Sequence, residues 1–295
     1  MNLSNFGMDT ITLAGTLEAK LEASRVAGFT QLMLWAKDLV NYPGGLDAAV
    51  QLVRGSGVRV TGIQVMRDYE GLSGTLHDYK VDIAKSMMRI CHAVGAPLLM
   101  VCSSTSKHAS GESGKIARDL AKLATLGVPL NVKVGFEALS WGRNISEYQQ
   151  AWEVVEMADH ANLGVVIDSF HMLANGAELD SLGQIPGSKI AMVQLSDFMW
   201  REIRSSEERL ETARHMRVFP GEGEHSAELS ALVRSIDRAG YRGDYSFEVF
   251  NDDYLQMAPE LVAQRARGSA KWVTDQVLRR SLQIRQDPRG QQMAL

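Results

Sequence analysis

A short apolar run followed by a helical pattern recurs about eight times along this chain, with no linker or low-complexity stretch between units. The apolar runs fall near residues 7–13, 31–35, 58–66, 98–102, 132–138, 164–167, 190–195 and 245–250. Several are continuous rather than alternating, as in strands covered on both faces within a parallel sheet. The stretches between them have recognisable helix ends. Thr16 precedes an Ala/Glu/Lys/Leu-rich run that stops at Gly28, a cap at either end. Ser146 and Gln149 have capping-box spacing, and the helix continues over residues 151–158. Leu229, Leu232, Val233 and Ile236 form one apolar face closed by Gly240, and Ala266, Ala270, Val273 and Val277 suggest a last helix. Strict alternation over eight units predicts an α/β protein, a single closed (β/α)8 barrel. An open doubly wound sheet is the alternative, but no GxGxxG follows the first strand, so dinucleotide binding has no support.

Length agrees with one large barrel, expected over residues 1–282 of the 295, with residues 283–295 as a frayed tail. Hydrophobic residues make up 45% and charged residues 22%, which excludes a disordered chain, a collagen-like chain and a disulfide scaffold. A net charge of −4 argues against a protein held on phosphate backbones. No apolar run approaches the roughly 18 residues that cross a bilayer, and residues 1–6 lack a basic segment followed by an apolar one. Cys91 and Cys102 lie in apolar surroundings without CxxC spacing and read as reduced core thiols. The expectation is a cytoplasmic protein with a small-molecule ligand and neither nucleic acid nor membrane as partner; a homo-oligomer is compatible with this. One connection breaks the rhythm. Residues 198–224, after the seventh strand, hold Trp200, a charged helical piece over 205–212, and Arg214-His215-Met216-Arg217-Val218-Phe219-Pro220-Gly221. A long loop on the carboxyl face of a barrel is a usual source of substrate contacts.

Four polar residues end or interrupt the late apolar runs: Glu137, Asp168, Gln194 and Glu248. A lone carboxylate in such a run would cost several kcal/mol on burial. In a barrel, strands five to eight are neighbours, and their carboxyl ends surround one cavity where the four side chains can converge. Three carboxylates and an amide oxygen are a hard ligand set, suited to Mg2+, Mn2+ or Co2+ more than to zinc. Without a cation the carboxylates would repel one another and at least one would hold its proton. His171, three residues after Asp168, is placed for acid–base work beside that set. Arg67 ends the third strand and Arg217 lies in the long connection; each can bind a carboxylate by two hydrogen bonds, or pair with Asp68 or Glu222 for stability alone.

The strand-end set resembles that of the xylose-isomerase-like TIM barrels, the sugar phosphate isomerase/epimerase superfamily. Several stretches resemble more specifically the bacterial 3-dehydroshikimate dehydratases of quinate and shikimate breakdown. These are TITLAGTLEAKLEASRVAGF at 10–29, RDYEG at 67–71, FEALSWG at 136–142, VIDSFH at 166–171, VQLSD at 193–197 and RHMRVFPGEG at 214–223. The resemblance covers about residues 6–280. It implies a lyase that dehydrates 3-dehydroshikimate to protocatechuate, with a divalent metal at Glu137, Asp168, Gln194 and Glu248. It further implies His171 as the catalytic residue, and Arg67 and Arg217 as anchors for the substrate's carboxylate and hydroxyls. The departures touch the pocket rather than the metal set. Met33 and Ala36 stand in a second strand where the family tends to be acidic, Ala213 where Ser often precedes RHxR, and Asn144 where His is common. The rival reading is a metal-dependent ketose or inosose isomerase, epimerase or dehydratase acting on a small polyhydroxy ketone. An apurinic-site endonuclease on the same barrel would need several histidines for a metal cluster, and the chain has only seven, mostly away from strand ends. A metal-free binding protein is the competing class, against which the complete ligand set speaks.

Overall fold

The computed structural model describes residues 5–278. The eight barrel strands are β1 (Phe6–Asp9), β2 (Gln31–Trp35), β3 (Arg59–Met66), β4 (Leu98–Cys102), β5 (Lys133–Glu137), β6 (Leu163–Asp168), β7 (Ile190–Leu195) and β10 (Tyr245–Phe247). They are parallel and closed: β1 pairs with both β2 and β10, which completes the ring. Each apolar run overlaps one of these strands. The first is shorter than expected, because the chain leaves the sheet at Thr10–Thr12. There Thr12 Oγ1 donates to Phe247 O (3.2 Å) and accepts from Val249 N (3.0 Å), a turn that ties the first strand to the eighth. The expected barrel end at residue 282 and the tail 283–295 fall outside the described residues.

The helices are α1 (Leu17–Val26), α2 (Ala36–Val40), α3 (Gly45–Gly55), α4 (Gly74–Val94), α5 (Ser113–Gly127), α6 (Tyr148–Ala158), α7 (Ser169–Ala174), α8 (Ser206–His215), α9 (Ser226–Arg238) and α10 (Pro259–Trp272). Thr16 caps α1, and Gly28 follows it at φ +90°, a conformation that favours glycine. The capping box of α6 sits one residue beyond the expected Ser146/Gln149 pair. Gln150 Oε1 accepts from Ser146 N (2.8 Å) and Glu147 N (3.1 Å), with Glu147 at the cap. Consecutive glutamines made the register ambiguous, and the later one turns Tyr148 inward, where its hydroxyl donates to Glu178 O (2.7 Å).

Alternate strand residues face two different neighbours. Outward-facing Met8, Leu34, Val101, Phe136, Ile167 and Phe247 join the helices in one continuous apolar layer. Each fully buried side chain of this size contributes about 1.5–3 kcal/mol. The inward-facing apolar residues form a smaller cluster of Met33, Leu98, Met100, Cys102, Val166 and Met192. Space inside is tight: a Cβ on Gly135 would lie 2.8 Å from Val166 Cγ2.

The long connection after β7 is an ordered excursion. Its ends form an antiparallel ribbon, β8 (Asp197–Phe198) with β9 (Arg217–Val218), and α8 lies between them. Ser205 caps α8: its hydroxyl accepts from Glu208 N (3.1 Å), while Glu208 Oε2 accepts from Ser205 N (3.2 Å). Arg217 N donates to Phe250 O (2.9 Å) and Asn251 Nδ2 to Arg217 O (2.8 Å). The excursion is thus clamped to the chain that follows the eighth barrel strand. Among the described residues no helix is long and apolar enough to cross a membrane.

Candidate active site

Glu137, Asp168 and Gln194 end or nearly end β5, β6 and β7, and Glu248 directly follows β10. All four are buried. Asp168 and Gln194 are register partners across β6 and β7, so they share the inner face. The structure brings Glu137 and Asp168 together with His171, each offering an atom within 4.8 Å of the others. Glu248 joins through an intermediary: Arg217 Nη1 donates to Asp168 Oδ2 (2.8 Å) and Glu248 Oε2 (3.1 Å). Gln194 reaches a different partner, its Nε2 donating to Asp9 Oδ2 at 2.6 Å.

The electrostatics follow from burial and crowding. Burial, reinforced by Asp168, pushes the Glu137 carboxyl up to about 8, although a hydrogen bond from Cys102 Sγ to its Oε2 (2.8 Å) works the other way. Burial raises Glu248 well above the usual carboxylate range against the pull of Arg217. Burial opposes the charge on Arg217, but Asp168 and Glu248 outweigh it and strengthen the cation. The guanidinium also lies over the Phe170 ring at 4.4 Å, and its Nε donates to Ala213 O (2.9 Å). Were all three carboxylates ionised, the single guanidinium would leave two negative charges uncompensated in a buried space, which is why Glu137 and Glu248 hold their protons. Glu137 Oε1 and Gln194 Oε1 are buried without any hydrogen-bond partner among the described residues. Such a site asks for a further cation.

His171 sits on α7, whose cap is Asp168 itself: Asp168 Oδ1 accepts from Phe170 N (2.7 Å). Its Nε2 is 3.5 Å from Asp168 Oδ2. Ser140 N donates to Nδ1 (3.2 Å), and the Ser140 hydroxyl lies 3.1 Å from the same nitrogen. Trp141 and Phe170 pack edge-on against the ring at 5.0 and 5.4 Å. Burial lowers His171 to about 4, so the imidazole is neutral near pH 7.

Of the two arginines, neither takes the partner considered for it from the sequence. Asp68 accepts from Thr105 N (2.8 Å) and Ser104 Oγ (3.2 Å), and Glu222 accepts from Arg265 Nη2 (2.9 Å). Arg67 is exposed, and its charge is felt by Glu137 and Cys102. Arg217 is 2% exposed, with Nε and Nη1 engaged. Each two-donor edge of the guanidinium thus has one donor already engaged by the protein.

Sequence reasoning missed a second buried group beside the first. Asp9 accepts from Gln64 Nε2 (3.1 Å), from Gln194 Nε2 and from Ser246 Oγ. Burial raises Asp9 to about 7. The signal was present: Asp9 ends the first apolar strand just as Asp168 ends the sixth, and Gln64 interrupts the third. Cys102 and Ser140 were also missed. A thiol in an apolar run and a serine in a loop give no sign of their partners.

A closed parallel barrel with an acidic, cation-seeking cluster at the carboxyl ends of its strands defines the class. The chain belongs to the xylose isomerase-like TIM barrel family, which it matches over residues 21–275. It is 35% identical over 245 residues to the 3-dehydroshikimate dehydratase of Pseudomonas aeruginosa, a match that covers 83% of this chain and 38% of that protein. The chain therefore spans well under half the length of that relative. The inosose isomerase of Bacillus subtilis is 27% identical over 195 residues, covering 65% of this chain and 67% of the isomerase. A crystal structure of the IOLI protein with a bound zinc atom superposes with a TM-score of 0.80 at 21% identity, covering 92% of this chain and 99% of that one.

Proposed function

We propose that this barrel is a hydro-lyase that dehydrates 3-dehydroshikimate to protocatechuate with the help of a divalent metal ion. The observation that carries the reading is a neutral, buried His171 beside three crowded carboxylates that, when ionised, stand two charges short of balance. One divalent cation would restore that balance, and the orphaned Oε1 atoms of Glu137 and Gln194 supply oxygen ligands without breaking any existing bond. Glu137, Asp168, Gln194 and Glu248 would hold the ion. When bound it supplies positive charge opposite the oxygen on which negative charge develops as a proton leaves the adjacent carbon.

The chain's own residues do the rest. His171 works through Nε2: the Ser140 N–H donated to Nδ1 suits the tautomer with its proton on Nε2, and the Ser140 hydroxyl can accept from Nδ1 in the tautomer that leaves Nε2 free to take a proton. The ring takes the proton next to the ketone and returns it to the departing hydroxyl, which leaves as water. Tautomerisation of the resulting ring to a catechol drives the reaction forward. Arg67, with its guanidinium exposed, anchors the substrate carboxylate. Arg217 contributes its charge and its remaining amino group while bridging Asp168 and Glu248. Trp141 and Phe170 keep water from the imidazole.

The test is an ultraviolet assay for a catechol acid from 3-dehydroshikimate, with metal-stripped protein and after addition of Mg2+, Mn2+, Co2+ or Zn2+. An all-oxygen set favours the first three; the zinc in the IOLI structure makes the fourth a necessary arm. A second reading, isomerisation of an inosose or ketose by proton transfer through Glu137, draws on its unpartnered Oε1 and the isomerase relative. Turnover of inososes or ketohexoses in the same panel, without catechol formation, would favour it.

A further inference from the structure

Among the described residues, Asp9 is the strand-end carboxylate of the barrel interior that the proposed chemistry leaves without a task. It is fully buried at the end of β1 and collects three side-chain donors: the amides of Gln64 and Gln194 and the hydroxyl of Ser246. Both Asp9 oxygens are occupied as acceptors by these donors, so both amides present nitrogen to it. Each amide is planar, with its oxygen on the edge opposite the nitrogen. At Gln194 this leaves Oε1 buried with no partner among the described residues, on the inner face it shares with Asp168. Were Gln194 free to flip, its NH2 would face the cation site and repel a metal ion. The Ser246–Gln194 register pairing sets two of the donors side by side, and Gln64 braces Asp9 from β3.

We infer that Asp9 is a positioning residue that locks the Gln194 amide with its oxygen turned toward the metal site, making an otherwise ambivalent glutamine an obligate oxygen ligand. This rests on the metal-dependent reading above. The consequence is specific: Asp9 acts on metal affinity through Gln194 and through no contact of its own. Replacing Asp9 by Asn keeps the shape but adds an NH2 that can donate to Gln194 Oε1, so the amide loses its fixed orientation. Groups that orient metal ligands typically alter affinity by about 10–100-fold.

The experiment is calorimetric titration of the metal-stripped full chain with Mn2+, together with the visible spectrum of the Co2+-loaded protein. Asp9→Asn is expected to weaken Mn2+ binding at least tenfold and to change the Co2+ spectrum, with circular dichroism unchanged. In a Gln194→Ala background, Asp9→Asn should have no further effect on affinity. Should Asp9→Asn fail to fold, Asp9→Ser carries the same two expectations. Wild-type Mn2+ affinity in the folded variant overturns the inference while leaving the metal reading standing, as does an equal loss with and without Gln194. If the wild-type chain binds no divalent ion, the metal reading and this inference fall together.

Discussion

The two faces of the barrel sheet solve opposite problems with the same strands. The outer face packs Met8, Leu34, Val101, Phe136, Ile167 and Phe247 against the helices in an unbroken apolar layer. The inner face mixes a small, methionine-rich cluster with Asp9, Gln64, Glu137, Asp168, Gln194 and Glu248, all buried. One residue of register separates stabilisation from chemistry, because successive strand side chains point to opposite faces. The outer layer supplies the free energy that lets the inner face hold like charges close together at a cost.

The comparison breaks first at the inner face. Glu137→Ala should lose both metal and activity; a variant that stays metal-replete and active would refute the ligand set. His171→Ala should lower turnover by about 10²–10⁴-fold, the scale for loss of a general acid or base, with metal binding kept. Unchanged kcat would remove His171 from the chemistry.

At the outer face the loss should fall on stability instead. Phe247→Ala is expected to cost about 3–5 kcal/mol, read by chemical denaturation. A cost below about 1 kcal/mol would mean that the layer between sheet and helices is not where the fold is held.

Glu70 sharpens the contrast at the rim, away from any of the proposed ligands. It is buried, accepts from Ser104 N (2.5 Å), and burial raises it to about 7. The folded state therefore holds the proton more tightly than the unfolded chain. That contribution is fully present below the ordinary glutamate range and is lost as pH rises through about 7. Glu70→Gln should remove this slope, so that the variant gains on wild type by on the order of 2 kcal/mol between pH 5 and 8. Parallel stability–pH curves for the two proteins would show that Glu70 is not the source.

The smallest effect belongs to the excursion. Ser205→Ala should cost about 1 kcal/mol and act locally on α8, visible as faster amide exchange over residues 206–215. No change in exchange there would show that the cap is not what holds the helix.

Eight strands, both ends of α1, the close of α9 and the strand-end acids Glu137, Asp168 and Glu248 were legible in the sequence, because parallel strands leave continuous apolar runs and a charge at the end of one stands out. The α6 cap was misplaced by one residue where two glutamines adjoin, since local spacing fits both and only the burial of Tyr148 decides. Arg217 was visible as a residue but not as the bridge between Asp168 and Glu248. That role depends on the β8–β9 ribbon folding an excursion back over the barrel mouth.

Fold class was thus legible in the sequence because strand–helix periodicity is local, and the family because its motif stretches resemble known ones. What tertiary structure decided is which buried polar groups meet. Asp9 lies 185 residues from Gln194 and 237 from Ser246, and ring closure places them in contact. No periodicity encodes that meeting; it follows from eight strands returning to pair the last with the first.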